Sequence, residues 1–320
     1  MKPADGSAPD LASIAAVERD TGLSKDTLRV WERRYHFPVP ERDAHGERVY
    51  SRAQVEQLRL IKRLLESGYR PGQVVGLPHA DLLDLGSQAT KKQRGRAALP
   101  MPGAGDASES LAEEVQSCFE LVKRHDAPAL RRALTKAAQQ LGLARFVTLL
   151  VAPLNAQIGN AWVDGRLEIF EEHFYTESVT AVLRNGISNL ALTGAASPHV
   201  LLTTFPQESH GLGLLMAETF LTLHGCHCLS LGVQTPVPDI ARAALAHGAR
   251  IVVLSFSASL NPKDVTQGLT DLRKQLPSTT EIWTGGSCAA LHRRALPGVQ
   301  VLGGFSEIEA HLYRWRQAQA

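Results

Sequence analysis

From residue 198 onward, short runs rich in apolar and β-branched residues alternate with segments of helical periodicity, and this alternation restricts the possible fold more than any other feature of the chain. Such alternation is typical of right-handed βαβ units on a parallel sheet. Five strands favour the order 2-1-3-4-5 of a flavodoxin-like, Rossmann-type α/β domain. Helices are predicted between them, for example at Gly213–His224, Pro238–His247 and Pro262–Gln275. The predicted strands are His199–Phe205, His227–Gly232, Arg250–Ser255, Glu281–Thr284 and Val299–Leu302.

Residues 109–193 have the periodicity of helices instead. Apolar side chains recur at helical spacing, as at Leu111, Val115, Phe119 and Val122. About four helices fit in this stretch, which predicts a four-helix bundle. The last of these helices is predicted to bury a stripe made of Ile169, His173, Thr176, Thr180, Leu183, Ile187 and Leu190.

The N-terminal part is rich in arginine and contains two short helical segments separated by a turn at Gly22. Ser24 is a natural N-cap for the second segment. Val17, Leu28 and Trp31 are apolar and are expected to form the core that supports this segment. The pattern predicts a helix-turn-helix with a basic second helix.

A basic helix of this kind can lie in the major groove of DNA, where arginine contacts base edges and phosphates. Beyond the helix, Pro38–Tyr50 contains a turn at Gly46 between Arg42 and Arg48, as expected for a β-wing. The candidate DNA-binding residues are Lys25, Thr27, Arg29, Arg33, Arg34, Tyr35, Arg42, Arg48 and Tyr50.

Three segments of this region, Thr21–Arg29, Trp31–Tyr35 and Glu47–Ser51, closely resemble the MerR family of transcription regulators. In that family the helix-turn-helix is followed by a wing that ends in a similar R-x-Y-S sequence. The resemblance implies binding to a double-stranded DNA operator with an inverted repeat, as a homo-oligomer (a dimer or a tetramer). The competing interpretation is a basic, solvated helix in an unrelated bundle.

The loop after the first predicted strand, Pro206–Gly213, leaves the carboxyl edge of the sheet, where open parallel sheets bind ligands. Strands one, three and four are neighbours in the predicted order, so this loop is expected to meet Ser255–Ser259 and Gly285–Ser287. Glycines let a flat macrocycle approach the backbone, and serines offer hydrogen bonds. A neutral imidazole at His210 is a good ligand for a transition metal, and Glu208 can orient it. By spacing alone, however, a single histidine in such a loop is usually not a metal ligand.

The combination of Glu208-x-His210-x-x-Gly213 with these serine and glycine loops resembles the cobalamin-binding signature D/E-x-H-x-x-G … S … GG. The resemblance implies that His210 replaces the benzimidazole of cobalamin as the lower axial ligand of cobalt. It also implies that the nucleotide tail of the cofactor passes the serine and glycine loops. The metal ligand is then His210, and the candidate cofactor residues of this domain are Glu208, His210, Gly213, Ser255, Ser259, Gly285 and Gly286.

A second motif lies in the predicted bundle, where Trp162 is followed by the pair Glu172-His173. It resembles the W-x9-E-H motif of the CarH/LitR group, light-sensing MerR regulators that use adenosylcobalamin. In that group these residues cover the upper face of the cofactor and its adenosyl group. By residue type alone, Trp162 and His173 are more readily core side chains than cofactor contacts. The light-sensing members have a histidine after the tryptophan, whereas this chain has Val163, which cannot coordinate cobalt and puts photochemistry by that route in doubt.

Charge is distributed unevenly along the chain. Residues 1–100 carry 17 Lys and Arg against 13 Asp and Glu, whereas residues 101–320 carry 17 against 19. This asymmetry favours a nucleic-acid contact in the N-terminal part. The four cysteines form no CxxC pair and no zinc pattern, which favours free thiols in a reducing cytoplasm. We also expect no membrane partner, since we find no signal sequence and no apolar run of about 18 residues.

Together these patterns predict a multidomain chain: an α-helical winged helix-turn-helix, then a four-helix bundle, then an α/β flavodoxin-like (Rossmann-type) parallel sheet. The predicted boundaries are 1–85 for the DNA-binding domain, 86–108 for a linker, 109–196 for the bundle and 197–320 for the cobalamin-binding domain.

The predicted function is a DNA-binding transcription regulator, a repressor controlled by cobalamin, with adenosylcobalamin as the favoured form and light sensing as one form of control. One alternative is a regulator of the same fold that binds haem, a linear tetrapyrrole or no ligand. A cobalamin-dependent enzyme is disfavoured, because such enzymes need a further substrate domain and no stretch remains to build one.

Overall fold

The computed structural model describes residues 11–86, 88, 105–190, 197–293 and 295–319. By their internal contacts the residues form two compact units. The first unit contains Met1–Pro100 together with Asn160–Arg166, and the second contains Met101–Gly159 and Leu167–Ala320. Most of the predicted linker, residues 87 and 89–104, lies outside the described residues.

The first unit has the predicted winged helix-turn-helix. Its sheet has the order β1-β3-β2, all antiparallel, in which the short strand β1 was not predicted. The strands are β1 Leu11–Ser13, β2 Glu41–Arg42 and β3 Arg48–Ser51. The helices are α1 Ile14–Thr21, α2 Lys25–Tyr35, α3 Arg52–Glu66, α4 Pro71–Val74 and α5 over residues 79–86.

Serine caps define where the helices of this unit begin. The hydroxyl groups of Ser13, Ser24 and Ser51 each accept a hydrogen bond from a backbone N–H in the first turn of α1, α2 and α3. Such caps satisfy donors that a helix start leaves without partners. Gly22, with φ of 67°, ends α1 in the left-handed conformation that glycine adopts readily. These local signals explain why the helix-turn-helix was readable from the sequence.

The second unit begins with the predicted four-helix bundle, except that the end of α9 from Asn160 onward groups with the first unit. One of its helices is interrupted by a π-helical stretch, so that three segments form a continuous helical run, Leu143–Val163. This run is apolar and long enough to cross a membrane by length and composition, but half of the window is buried, as expected for a core helix of a bundle. The helical segments are α6 Gly105–Lys123, α7 Ala127–Leu141, α8 Leu143–Arg145, the π-helical Phe146–Val151, α9 Ala152–Val163 and α10 Ile169–Ser188.

The predicted stripe of α10 was only partly correct, since its member Leu183 is buried whereas its member His173 is exposed. The buried residues of this helix are Glu171, Tyr175, Ser178, Val179, Val182 and Leu183. The side chain of His173, in contrast, is 73% exposed. The reason is that a polar residue anchors the buried face: Glu171 caps the helix start and pairs with His125 at 2.9 Å, which directs Tyr175 and Val179 inward in place of His173.

The α/β part has a five-stranded parallel sheet of order β5-β4-β6-β7-β8, which confirms the predicted order 2-1-3-4-5. Apolar side chains of its strands pack against those of the neighbouring helices and form the core. Its strands are β4 His199–Thr203, β5 His227–Ser230, β6 Ile251–Phe256, β7 Glu281–Gly286 and β8 Val299–Val301. The helices are α11 Leu212–Leu223, α12 Val237–Ala246, α13 Pro262–Gln275, α14 Ala289–Arg293 and α15 Phe305–Gln319.

Candidate cofactor site and DNA interface

Glu208 is the centre of the loop that follows β4, and its side chain is only 1% exposed. Its Oε1 accepts hydrogen bonds from the backbone N–H of His210 at 3.0 Å and from Nδ1 of the same ring at 2.6 Å. Its Oε2 accepts from the backbone N–H of Ser257 at 2.6 Å, in the loop after β6. One buried carboxylate thus joins the two loops that were predicted to converge.

The protonation of this pair follows from its hydrogen bonds. Burial raises the pKa of Glu208, but the bonds from His210 and Ser257 outweigh burial and hold the pKa below its ordinary value. An ionised carboxylate only accepts, so Nδ1 of His210 carries a hydrogen, and in the neutral imidazole the lone pair is then on Nε2. The His210 side chain is 52% exposed. Its Nε2 is therefore the atom suited to bind a metal.

The loop after β5 also reaches this edge of the sheet. The buried Thr204 donates its hydroxyl hydrogen to the backbone oxygen of Glu208 at 2.7 Å and accepts from the backbone N–H of Gln234 at 2.8 Å. The Gln234 side chain donates to the backbone oxygen of Pro206 at 3.1 Å. Two neighbouring loops at the carboxyl edge of the sheet, after β5 and after β6, therefore hold the Glu208 loop in position.

Two glycines of the predicted signature, Gly213 and Gly286, lie where the chain has little room. Gly286 has φ of 109°, and a Cβ there would collide with the backbone oxygen of Phe256. A Cβ on Gly213 would lie 3.4 Å from the hydroxyl oxygen of Ser255. Gly285 pairs with Ser255 in the register of β6 and β7. The structure thus brings Gly213, Ser255 and the glycine pair to the same edge as His210.

Sequence reasoning missed Ser257, Thr204 and Gln234. The hydroxyl oxygen of Ser257 lies 2.7 Å from that of Ser259, one of the predicted site residues. Nothing in the sequence distinguishes Ser257 from its neighbours, because its contact with Glu208 depends on how two distant loops meet. This donor set fits cobalamin: an imidazole held by a buried carboxylate is a suitable axial ligand, and glycine-lined strand ends allow a large ligand close to the backbone.

The predicted residues of the bundle motif fall in different units. Nδ1 of His173 lies 2.7 Å from Oε2 of Glu172, and the hydroxyl of Thr176 donates to Oε1 of Glu172 at 2.8 Å. This pair, on α10, belongs to the second unit. Trp162 and Val163 belong to the first unit, where Val163 is a buried member of the core and Trp162 packs against that core.

The exposed side of α2 carries most of the candidate DNA-binding residues. Arg33 and Arg34 are exposed, and the guanidinium of Arg34 lies over the ring of Tyr35. Arg29 is 53% exposed and pairs only loosely with the exposed Asp26 at 3.2 Å. Lys25 and Thr27 lie in the first turn, where Lys25 pairs with Glu18 and Thr27 contacts the cap Ser24. A cationic helix surface of this kind suits a DNA groove.

The wing residues divide into two groups. Arg42 is exposed and donates to the backbone oxygen of Gly46 across the wing turn. Arg48 binds the carboxylate of Glu32 on α2, at 2.9 Å and 3.4 Å, and so joins the wing to that helix. Tyr50 is fully buried, and its hydroxyl has no hydrogen-bond partner within the part of the chain that the structure describes. Tyr50 therefore supports the wing from the core.

Both halves of the chain match known families. Residues 12–77 match the model of the MerR HTH family regulatory protein, and residues 198–311 match that of the B12 binding domain. The fold and the two sites thus define a class of protein, a MerR-type DNA-binding regulator with a B12-binding domain.

Two curated relatives extend the match over most of the chain. The HTH-type transcriptional repressor CarH of Myxococcus xanthus is 30% identical over 85% of this chain and 87% of its own length. The HTH-type transcriptional repressor CarA of the same organism is 27% identical over 96% of this chain and 98% of its own length. The chain belongs to this family of cobalamin-controlled, DNA-binding transcription regulators.

Among solved structures, a monomethylamine corrinoid protein of Methanosarcina barkeri has a TM-score of 0.51 at 14% identity. The match covers 63% of this chain and 98% of that protein. At this identity the similarity shows the fold alone. It agrees with the bundle and parallel sheet found in the second unit.

Proposed function

We propose that the chain is a transcription repressor that binds its operator as a homo-oligomer and holds cobalamin through His210. The observation that carries this proposal is the geometry of His210, whose Nδ1 is held by the buried Glu208 at 2.6 Å, so that in the neutral ring Nε2 bears the lone pair. A carboxylate that orients a histidine in this way also raises its basicity as a ligand. His210 would then hold the cobalt of cobalamin through Nε2.

The remaining site residues have supporting roles in the proposal. The strand-end residues Gly213, Ser255, Ser259, Gly285 and Gly286 accept the nucleotide tail of cobalamin, because the glycines permit close approach and the serines offer hydrogen bonds. We assign Trp162, Glu172 and His173 to the upper side of the cofactor, as in the group that the motif resembles. Val163, next to Trp162, is buried in the core of the first unit.

For DNA, we assign Arg29 to a base edge and the exposed cations Arg33, Arg34 and Arg42 to phosphates. Phosphate contacts position a protein on DNA, whereas base contacts determine specificity. Lys25 and Thr27 lie on the same turn as Arg29, while Arg48 and Tyr35 hold the recognition surface in place through Glu32 and Arg34. The protein acts in the cytoplasm, as a regulator and not as an enzyme.

Adenosylcobalamin is the proposed form, and it supplies a light-sensitive cobalt–carbon bond. Val163 has no atom that binds cobalt, and it is a buried core residue of the first unit. We therefore expect illumination to release the adenosyl group without a bis-histidine product that uses position 163. Absorption spectra before and after illumination, with size-exclusion profiles of the same samples, measure the product and the oligomeric state.

The test of the proposal is cobalamin binding by purified protein. Wild type should bind cobalamin, and cobalt(II) in the bound cofactor should show hyperfine coupling to an imidazole nitrogen. His210→Ala should bind far more weakly with an unchanged circular dichroism spectrum. The matched control is His247→Ala, at the end of α12, which should bind as wild type does.

Two results would contradict the proposal. Benzimidazole coordination in the bound cofactor would show that His210 is not the ligand. A protein that binds haem or a linear tetrapyrrole, but not cobalamin, would show a different absorption spectrum and would support the alternative ligand class.

A further inference from the structure

Trp162 and Val163 are the part of the bundle motif that groups with the DNA-binding helices. Val163 is 9% exposed and belongs to the same core cluster as Leu58, Ile61 and Leu64 of α3. Trp162 is partly buried and packs against that cluster. The residue that the proposed function places over the cofactor is therefore also a neighbour of α3.

Arg63 of α3 makes the most specific contact with this segment. It is only 6% exposed, although it carries a charge, and its guanidinium carbon lies 5.8 Å from the centroid of the Trp162 ring. A guanidinium over an indole face at this distance is attracted by the ring quadrupole, and tryptophan is the aromatic residue that binds cations best. Because the pair is largely withdrawn from water, this attraction is stronger than at an exposed site.

Two glycines allow the backbones to approach closely. Gly165 has φ of 72°, and a Cβ there would lie 2.9 Å from Nη1 of Arg63. A Cβ on Gly86 would lie 3.1 Å from the backbone oxygen of Val163. A side chain at Gly86, which lies on α5, would press on the backbone of Val163, and one at Gly165 would require the Arg63 guanidinium to shift. The 160–166 segment is thus fitted closely to α5 and to the Arg63 side chain.

The helix that carries Arg63 is also connected to the elements that face DNA. Arg59, one turn earlier on α3, binds the carboxylate of Asp20 on α1 at 2.7 Å. Gln54, in the first turn of α3, exchanges two hydrogen bonds with the backbone of Val39, at 2.8 Å and 2.9 Å. A displacement of α3 would therefore also displace the helix-turn-helix and the chain that leads into the wing.

We propose that Arg63 is the positioning residue through which the cofactor controls the DNA-binding unit. The inference rests on the proposed function, in which Trp162 covers the upper face of cobalamin. A ligand shifts a conformational equilibrium only through a difference in its contacts with the two states. The Trp162 ring provides that difference, because a ring that is repositioned by an upper ligand changes its contact with Arg63 and so changes the position of α3.

The test measures coupling rather than affinity. Operator affinity is determined by fluorescence anisotropy with and without adenosylcobalamin in the dark, and the ratio of the two affinities is compared between variants. Arg63→Met keeps an apolar stem and removes the cation, so its ratio should fall close to one while it still binds both cobalamin and DNA. The matched control is Lys62→Met, the adjacent position on α3, where the lysine pairs with Glu66. It should keep the wild-type ratio, which for allosteric coupling is typically about 5–150-fold.

Linkage provides a second readout that does not depend on DNA affinity itself. Operator DNA should change the cobalamin affinity of wild type by the same factor, because coupling between two ligands is reciprocal. In Arg63→Met this change should disappear. If Arg63 had a purely structural role, the substitution would lower stability or both affinities, but the ratio of operator affinities with and without adenosylcobalamin would stay at the wild-type value.

If Arg63→Met fails to fold, Gly165→Ala tests the same contact from the other side, since it leaves the cation in place and crowds it. A folded Arg63→Met or Gly165→Ala protein with the wild-type ratio would overturn the inference and leave the proposed function standing. A wild type that binds no cobalamin, or whose operator affinity does not respond to cobalamin, would overturn the proposed function and the inference with it.

Discussion

At the scale of single residues, a few buried charges organise both units. Glu208 receives three N–H donors on two oxygens and so joins the loops after β4 and β6. Arg63 is buried against the Trp162 ring. A buried charge is costly unless it is paired and hydrogen-bonded, so each of these residues requires the particular neighbours that surround it. Such residues are where a substitution reports most directly on the site.

We predict that Glu208→Gln lowers the free energy of unfolding of the second unit at pH 7 by about 1–3 kcal/mol. A glutamine amide has one acceptor oxygen, and its NH2 group would face an N–H donor. The native pKa of Glu208 is below the ordinary value of 4.5. Its stabilising contribution is therefore fully present above about pH 4.5 and is lost as the pH falls through the native pKa.

Urea unfolding of wild type and Glu208→Gln at several pH values measures this effect. The difference between the two proteins should shrink as the pH falls below 4.5. Glu177→Gln, at an exposed position on α10, is the control and should change stability little at any pH. An equal difference at pH 7 and at acid pH would show that the ionised carboxylate is not the source of the stability.

A second residue-scale prediction concerns Arg29, the exposed arginine in the middle of α2. Arg29→Ala should weaken operator binding by about 1–3 kcal/mol and relax specificity at one base pair, since a base contact is lost. Footprinting and binding to operators with single base changes measure this. Arg242→Ala removes the same charge from α12 in the second unit and should leave binding unchanged. Uniform weakening on every sequence would instead assign Arg29 to a phosphate.

At the scale of elements, the ends of β6 and β7 determine the shape of the cofactor edge. The register pairs Ser255 with Gly285 and Phe256 with Gly286, so β7 continues two residues beyond the predicted Thr284. Glycine is required at position 286, because Gly286 has φ of 109° and the backbone of Phe256 leaves no room for a Cβ there. The other glycine, Gly285, has ordinary space around it.

This difference predicts opposite outcomes for two alanine substitutions. Gly286→Ala should destabilise the second unit by about 1–3 kcal/mol or more, because it combines a strained φ with a steric clash. At Gly285, a Cβ has its nearest neighbour, the backbone oxygen of Leu302, at 3.8 Å. Gly285→Ala should therefore leave the stability unchanged. It should lower cobalamin affinity, because the added methyl group would lie where the nucleotide tail is proposed to pass. Thermal unfolding and absorbance titration of both proteins measure the two effects. Equal stability of both variants would contradict the steric argument.

At the scale of the whole molecule, the two functions reside in regions of different charge. The surplus of Lys and Arg is in residues 1–100, whereas residues 101–320 have a small surplus of Asp and Glu. DNA binding releases counterions from phosphates and is therefore strongly weakened by salt. Cobalamin binding, through coordination by an imidazole and burial of the nucleotide tail, does not depend on the release of counterions.

We therefore predict that salt separates the two activities. Raising the salt concentration from about 50 to 200 mM should lower operator affinity by about 10³-fold or more if six or more phosphates are contacted. Cobalamin affinity should change little over the same range. Titrations of both ligands at the same salt concentrations measure this directly. A steep salt dependence of cobalamin binding would indicate that charge, and not coordination, dominates at that site.

The sequence by itself determined the order of the domains, the strand order of the sheet and the position of His210 in its loop. These features depend on signals between near neighbours: alternation of strands and helices, the serine cap at Ser24, and the short motif around Glu208 and His210. Near neighbours in the chain are also neighbours in a helix, turn or loop, so local physics is sufficient to specify them.

Only the tertiary structure decided which side chains are buried and which distant residues meet. It buried Tyr50, exposed His173, brought Ser257 to Glu208 and grouped Trp162 with Arg63. Each of these results depends on packing between segments far apart in sequence. Burial of a given face is determined by the element that covers it, and the chain's own periodicity carries no information about that partner. For this reason His173 could lie on the predicted apolar stripe and yet face the solvent.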